Sequence, residues 1–146
     1  MSILAVFRDP GPLRDRELSL KLTRCHPADP AMGYAPTYEF SMRLENRSRS
    51  VGQIHLRLGD SYLLTHYFGQ IAFGVAEKSR GRGLAARSLK LLFGLARSHG
   101  IDPLWITCNP DNWASRKTCE HSGASLVEIV EVGDIGHKKC RYRIDL

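Results

Sequence analysis

A chain of 146 residues suits one compact core and is short for two, so a single domain over residues 1–146 is expected. Its 42% hydrophobic and 25% charged residues describe a globular protein, and no apolar run approaches the roughly 18–20 residues of a membrane span, which excludes a membrane partner of that kind. The net charge of +6 fits either nucleic acid or a small anionic ligand, but the basic residues are scattered and the densest group, Lys78, Arg80, Arg82 and Arg87, surrounds a glycine turn, which favours the small anion over nucleic acid.

Met1 to Phe7 is broken too early by Arg8 and Asp9 to form a leader, so a cytoplasmic protein is expected. Asp9-Pro10-Gly11-Pro12 makes residues 1–15 a loose arm or a lead-in strand. Glu17 to Arg24 alternates apolar and polar residues and reads as a strand. His26 to Pro36 holds three prolines and a glycine and reads as a loop. Thr37–Leu44 and Val51–Leu58 alternate again, separated by the polar turn Asn46–Ser50, and form a hairpin or meander. His66 to Val75 reads as a longer apolar strand. Ala85, Leu89, Leu92 and Ala96 recur at helical spacing through Ser98, and His99-Gly100 stops the helix. Pro103–Cys108 is a short buried strand, and Asn112–Ser122 a second helix capped by Asp111 or Asn112. Leu126–Val132 and Cys140–Ile144 close the chain as a strand pair around the polar loop Gly133–Lys139. The order predicts an α/β (α+β) fold: a mixed, mostly antiparallel central sheet with a parallel crossover. Its edge strands leave room for a homodimer.

Cys25, Cys108, Cys119 and Cys140 contain no C-x-x-C pair and are expected to be reduced, buried fillers rather than bridges or metal ligands.

The turn Arg80-Gly81-Arg82-Gly83-Leu84-Ala85 opens the first helix. The first turn of a helix has N–H groups without internal partners and carries partial positive charge. Glycines allow the sharp bend, Ala85 and Ala86 keep the helix start small, and Arg80 and Arg82 add charge suited to a phosphate. Neither G-x-x-x-x-G-K-[ST] nor the third glycine of G-x-G-x-x-G is present.

Two motifs resemble the GNAT superfamily of N-acetyltransferases. Arg80-x-x-Gly83-x-Ala85, preceded by Phe73-Gly74-Val75, is similar to that family's acetyl-CoA turn. Asn112-x-x-Ser115, with Glu120 and Gly123 following, is similar to its N-x-x-S-x-x-x-x-E-x-x-G helix. The resemblance is firm over about residues 66–130 and implies acetyl-CoA as co-substrate, with no metal. It implies that Phe73, Gly74 and Val75 pair with the pantetheine amides as an added strand, and that Arg80, Gly81, Arg82, Gly83, Leu84 and Ala85 hold the pyrophosphate. It also implies that Asn112 and Ser115 face the pantetheine arm and the sulfur.

The implied activity is acetyl transfer from acetyl-CoA to a primary amine of a small molecule or a protein N-terminus. A non-catalytic acyl-CoA sensor on the same fold is the second reading. Many relatives carry a proton-donating Tyr where this chain has Cys119, so Ser115 and Cys119 are the candidate donors. Where relatives carry a basic Glu, this chain has Gly69-Gln70, leaving His66, Glu39 and His55 as candidate bases. The short segment His26–Pro36 stands where the family has one or two helices, which implies an open acceptor cleft.

Overall fold

The computed structural model describes residues 7–133 and 136–146; residues 1–6 of the expected arm and residues 134 and 135 of the expected last loop lie outside them. Strands β1 (Leu13–Asp15), β2 (Leu18–His26), β3 (Thr37–Leu44), β4 (Gly52–Arg57) and β5 (Ile71–Val75) form one antiparallel sheet in chain order. Helices α1 (Leu84–Leu91) and α2 (Phe93–Ser98) lead to β6 (Leu104–Cys108). Helix α3 (Trp113–His121) precedes β7 (Ser125–Val132) and β8 (His137–Ile144), and these last strands make an antiparallel sheet in the order β6-β8-β7.

Alternation along the strands sets the layers. On β3 Tyr38, Phe40, Met42 and Leu44 are buried, while Glu39, Ser41 and Arg43 on the opposite face are partly open to water. Ile54 and Leu56 extend the buried face, and Leu89, Leu92 and Ala96 of the helical segment complete it. Leu104, Ile106, Tyr142 and Ile144 of the second sheet belong to the same core cluster. Each fully buried leucine there contributes about 1.5–3 kcal/mol. The segment between β2 and β3 is one tight turn, with Asp29 and Tyr34 exchanging backbone hydrogen bonds of 3.0 Å. On the Glu39 face of the first sheet, Arg57 of β4 donates to the Phe68 and Gly69 carbonyls at 2.8 and 3.1 Å.

Two expected elements differ. The strand expected over His66–Val75 is a strand only from Ile71; residues Leu64–Phe68 make a single π-helical turn. Ser61 starts the turn by accepting from the Leu64 N–H at 3.2 Å, and Gly69 N–H closes it on the Leu64 carbonyl at 2.7 Å. The polar Ser61 and the glycine outweigh the apolar run between them. The single helix expected through Ser98 breaks at Leu92, whose N–H bonds the Leu89 carbonyl at 3.0 Å. Gly94 lies just beyond and weakens helical continuity.

The crossover from β5 over α1 and α2 to β6 is present, but the two strands form no ladder. Gln70 N–H bonds the Trp105 carbonyl at 2.9 Å, and the strands diverge from there. The Gln70 side chain fixes this point. Its Oε1 accepts from Trp105 N–H at 2.8 Å, and its Nε2 donates to the Gly59 carbonyl at 2.6 Å. Gln70 is buried, with all three bonds inside the protein.

Candidate functional site

A groove of about 670 Å³ lies where β5 and β6 part. Phe73, Gly74 and Val75 form one wall, the turn from Arg80 to Ala86 a second, and the α3 residues Asn112 to His121 the third. On its other side β5 pairs with β4, so the groove receives the strand edge whose N–H and C=O groups have no ladder partner.

The glycine turn leads directly into α1. Gly81 and Gly83 stand at φ 79° and 71°, a left-handed conformation that a side chain disfavours. With Gly83 capping α1, the first bond of the helix is Arg87 N–H to the Gly83 carbonyl at 3.1 Å. The amides of Leu84, Ala85 and Ala86 precede it, and these residues line the groove. No Cβ-sized obstacle lies within 4 Å of Gly81 or Gly83. An anion therefore has donors, partial positive charge and space.

The arginines are arranged differently from the sequence expectation. Arg80 lines the groove, but its Nε donates to the Val75 carbonyl at 2.9 Å. Arg82 is exposed and is not among the lining residues. Arg87 turns away and pairs with Asp15 at 2.6 Å and with Glu17. Hydrogen bonds from Arg87 hold the Asp15 and Glu17 carboxyls below their usual range. Arg87 thus ties α1 to the turn between β1 and β2, and its charge is already neutralised.

Sequence reasoning missed the basic residues on α3. Lys117 and His121 line the groove together with Ala114 and Thr118. The spacing 114, 117, 118, 121 marks one helix face and was readable in the sequence. Trp113, 62% exposed, lies at the groove mouth with the Arg116 guanidinium 4.5 Å from its ring centre. Arg116 also donates to the Pro110 carbonyl at 3.0 Å and to the Tyr142 hydroxyl at 3.1 Å, and that hydroxyl donates to Glu120 at 3.2 Å. Glu120 therefore anchors α3 to β8.

The candidate chemical residues separate into two groups. Asn112 and Ser115 line the groove, and the Asn112 side chain caps α3 by accepting from Ser115 N–H at 3.2 Å. Cys119 does not reach it. Its side chain points into the core, fully buried, and desolvation pushes its thiol up to about 12. Helical phase explains this correction: the groove face of α3 is centred on Ala114, Thr118 and His121, Ser115 is at its edge, and Cys119, about 40° further round the helix, falls on the core side. His66 lies in the π-helical turn, stacked on Tyr62 at 4.2 Å, with Nδ1 bonded to Thr65 at 2.8 Å. It is outside the groove lining. Glu39 is on the other face of the first sheet, 2.9 Å from His26 and 3.8 Å from His55. Among the described residues no group of three or more His, Cys, Asp or Glu side chains is arranged to hold a metal ion, and no helix is long and apolar enough to cross a membrane.

The chain matches the family model of the acetyltransferase (GNAT) domain over residues 6–125. No curated protein matches it in sequence. Among solved structures it is similar to the ribosomal L7/L12 α-N-protein acetyltransferase RimL in complex with coenzyme A, at 13% identity and TM-score 0.69, covering 93% of this chain and 98% of that one. It is also similar to the ribosomal-protein-S5-alanine acetyltransferase of Vibrio fischeri, at 8% identity and TM-score 0.66, covering 92% and 96%. A third likeness is to the microcin C7 self-immunity acetyltransferase MccE in complex with acetyl-CoA and AMP, at 16% identity and TM-score 0.60, covering 75% of this chain and 61% of that one. These likenesses concern the fold, while the family match spans most of the sequence: the chain belongs to the GNAT acetyltransferase family and is an acyltransferase.

Proposed function

We propose that this protein transfers the acetyl group of acetyl-CoA to a primary amine, of a small molecule or a protein N-terminus, by direct attack within a ternary complex. One observation carries the reading. A single groove joins the unpaired edge of β5, the donor-rich start of α1 and the capped start of α3. Its 670 Å³ falls in the range of small-molecule and cofactor sites. An extended diamide arm suits the Phe73–Val75 edge, where it would add as a further strand. A pyrophosphate suits the amides of Leu84 to Ala86, and on the α3 wall Lys117 adds a cationic group and His121 an imidazole able to hydrogen-bond. The thioester supplies an activated acyl carbon. Ser115 lines the groove, which supports it as the proton donor to the leaving sulfur. Holding both reactants in one cleft supplies much of the rate.

RimL and the Vibrio fischeri protein are named for acetylating ribosomal proteins, which supports a protein N-terminus as one acceptor class. The four free thiols suit the reducing cytoplasm, where we place the protein as a single catalytic domain.

Calorimetric titration with CoA tests the donor site. Thiol release from acetyl-CoA across peptides with free termini and small amines tests transfer. Micromolar CoA binding with amine-dependent thiol release is expected. Absence of CoA binding would refute the donor assignment, and binding without turnover of any amine would make the protein an acyl-CoA sensor.

A further inference from the structure

The groove occupies the helix-bearing side of β5, while the opposite face of the first sheet, bordered by the π-helical turn where Arg57 donates to the Phe68 carbonyl at 2.8 Å, is partly open to water. That face has a defined chemistry. The strand register aligns Arg24, Glu39, His55 and Ala72 in one row across β2, β3, β4 and β5. Alternation points Glu39 and His55 away from the buried Tyr38, Phe40, Ile54 and Leu56. Ala72, a small residue, ends the row on β5, the strand that lines the groove. Residues opposite each other on neighbouring strands have Cβ atoms about 4.5–5.5 Å apart. His55 is therefore one strand in from the edge.

The row is joined by polar contacts. Glu39 Oε1 lies 2.9 Å from His26 Nε2 and 3.8 Å from His55 Nε2, and Thr23 donates to Glu39 Oε2 at 3.1 Å. His55 Nε2 is buried and has no hydrogen-bond partner. It faces a carboxylate at slightly more than hydrogen-bond distance, so a small ring movement completes the contact. This leaves Nδ1 to receive a proton, an arrangement in which a carboxylate fixes the ring and stabilises its charged form.

We propose that this face receives the acceptor amine and that His55, oriented by Glu39 and His26, removes its proton directly or through one water. The inference rests on the acetyl-transfer reading above. The amine nitrogen forms a bond to the thioester carbon, and the carbon–sulfur bond breaks with its electron pair going to sulfur. The nitrogen's proton goes to His55 and then to water, while sulfur takes a proton from Ser115 or solvent. The charged groups facing His55 are Glu39 on β3, His26 on β2 and Arg57 on its own strand; Ala72 on β5 is uncharged. Burial lowers the His55 pKa, which keeps the ring neutral and able to accept a proton near pH 7.

The test has a binding arm and a kinetic arm. The first uses CoA alkylated with N-ethylbromoacetamide, which places an amide nitrogen where the acceptor nitrogen would sit. In proton–carbon NMR spectra the His55 Cε1 signal should shift with this conjugate and stay in place with CoA alone. In the second, His55→Gln should lower kcat/KM about 100-fold and remove the acidic limb of its pH profile, with CoA affinity unchanged. Glu39→Gln should move that limb to lower pH, because the imidazolium loses its carboxylate. Failure of CoA to bind the wild type refutes the donor-site reading. CoA binding with an unmoved His55 signal overturns only the present proposal, as does a wild-type pH profile in His55→Gln. Should His55→Gln unfold, the NMR arm on the wild type and the Glu39→Gln profile still decide it.

Discussion

The Arg80 guanidinium Nε donates a 2.9 Å hydrogen bond to the carbonyl of Val75, the last residue of β5. It joins the strand edge that would pair with an amide arm to the turn that would hold a pyrophosphate. Arg80 therefore acts on geometry as well as charge. Arg80→Ala should weaken CoA about tenfold, as expected for loss of one charge-assisted hydrogen bond. Acetyl-pantetheine, which has no pyrophosphate, should weaken by a similar factor, because the strand end is disturbed. Arg82→Ala should change either by less than about twofold, since its side chain is outside the groove lining and screened by water. Calorimetry on the three proteins checks this; loss of CoA affinity alone in Arg80→Ala would assign Arg80 to the phosphate instead.

Gln70 sets where the two sheets part. Gln70→Ala removes two side-chain hydrogen bonds and strands the Trp105 N–H and the Gly59 carbonyl. Each orphan costs up to about 1–3 kcal/mol, so a loss of up to about 2–6 kcal/mol is expected by chemical denaturation. CoA affinity should fall with it, because the groove begins at this clamp. Unchanged stability would show that water replaces the amide.

Ser115 and Cys119 should behave oppositely. Ser115→Ala should lower kcat by roughly tenfold or more with little change in CoA affinity. Cys119→Ala should leave kcat within about twofold and cost about 1 kcal/mol of stability through the small cavity it leaves. In the native protein the buried, high-pKa Cys119 should resist iodoacetamide at pH 8, while the partly exposed Cys25 reacts first. Mass spectrometry of the labelled protein reads the order.

Acid should destabilise the fold in two stages. The buried Tyr38 hydroxyl lies 2.6 Å from His99 Nε2 and receives the Arg8 N–H at 2.7 Å. Burial lowers the His99 pKa, so the folded protein prefers the neutral ring that accepts from Tyr38. The unfolded chain takes up this proton first, near pH 6.5. Stability from this pair is thus full above that pH and declines as the pH falls below it. Asp15, Glu17 and Glu39, all shifted down by hydrogen-bonded partners, add a second loss below the ordinary carboxylate range. Thermal midpoints from pH 8 to pH 3 should show both declines, and His99→Gln should reduce the first, leaving the part due to the burial-lowered His55.

Much of the fold was legible because it is written locally. Alternation gave β3 its observed limits, Thr37–Leu44, and the capping chemistry of Asn112 gave the start of α3. Gly81 and Gly83 marked the turn because few other residues adopt its backbone angles. The π-helical turn at Leu64–Phe68 was not legible, since a short apolar run suits a strand as well as a buried turn. Nor was the disposition of the charges. Arg87 and Arg80 are seven residues apart in one basic cluster, yet Arg87 is neutralised by Asp15 and Glu17, residues distant in sequence.

By itself the sequence determined three local features of this protein: a strand, a glycine turn and a capped helix, each specified by residues adjacent along the chain. Only the tertiary structure decided the rest. It turned Cys119 into the core and made Gln70 a clamp instead of an empty catalytic position. It also brought His26, Glu39 and His55 together on the outer face of the first sheet. Those relations depend on strand register and helix phase, which bring together residues that have no local reason to be near one another.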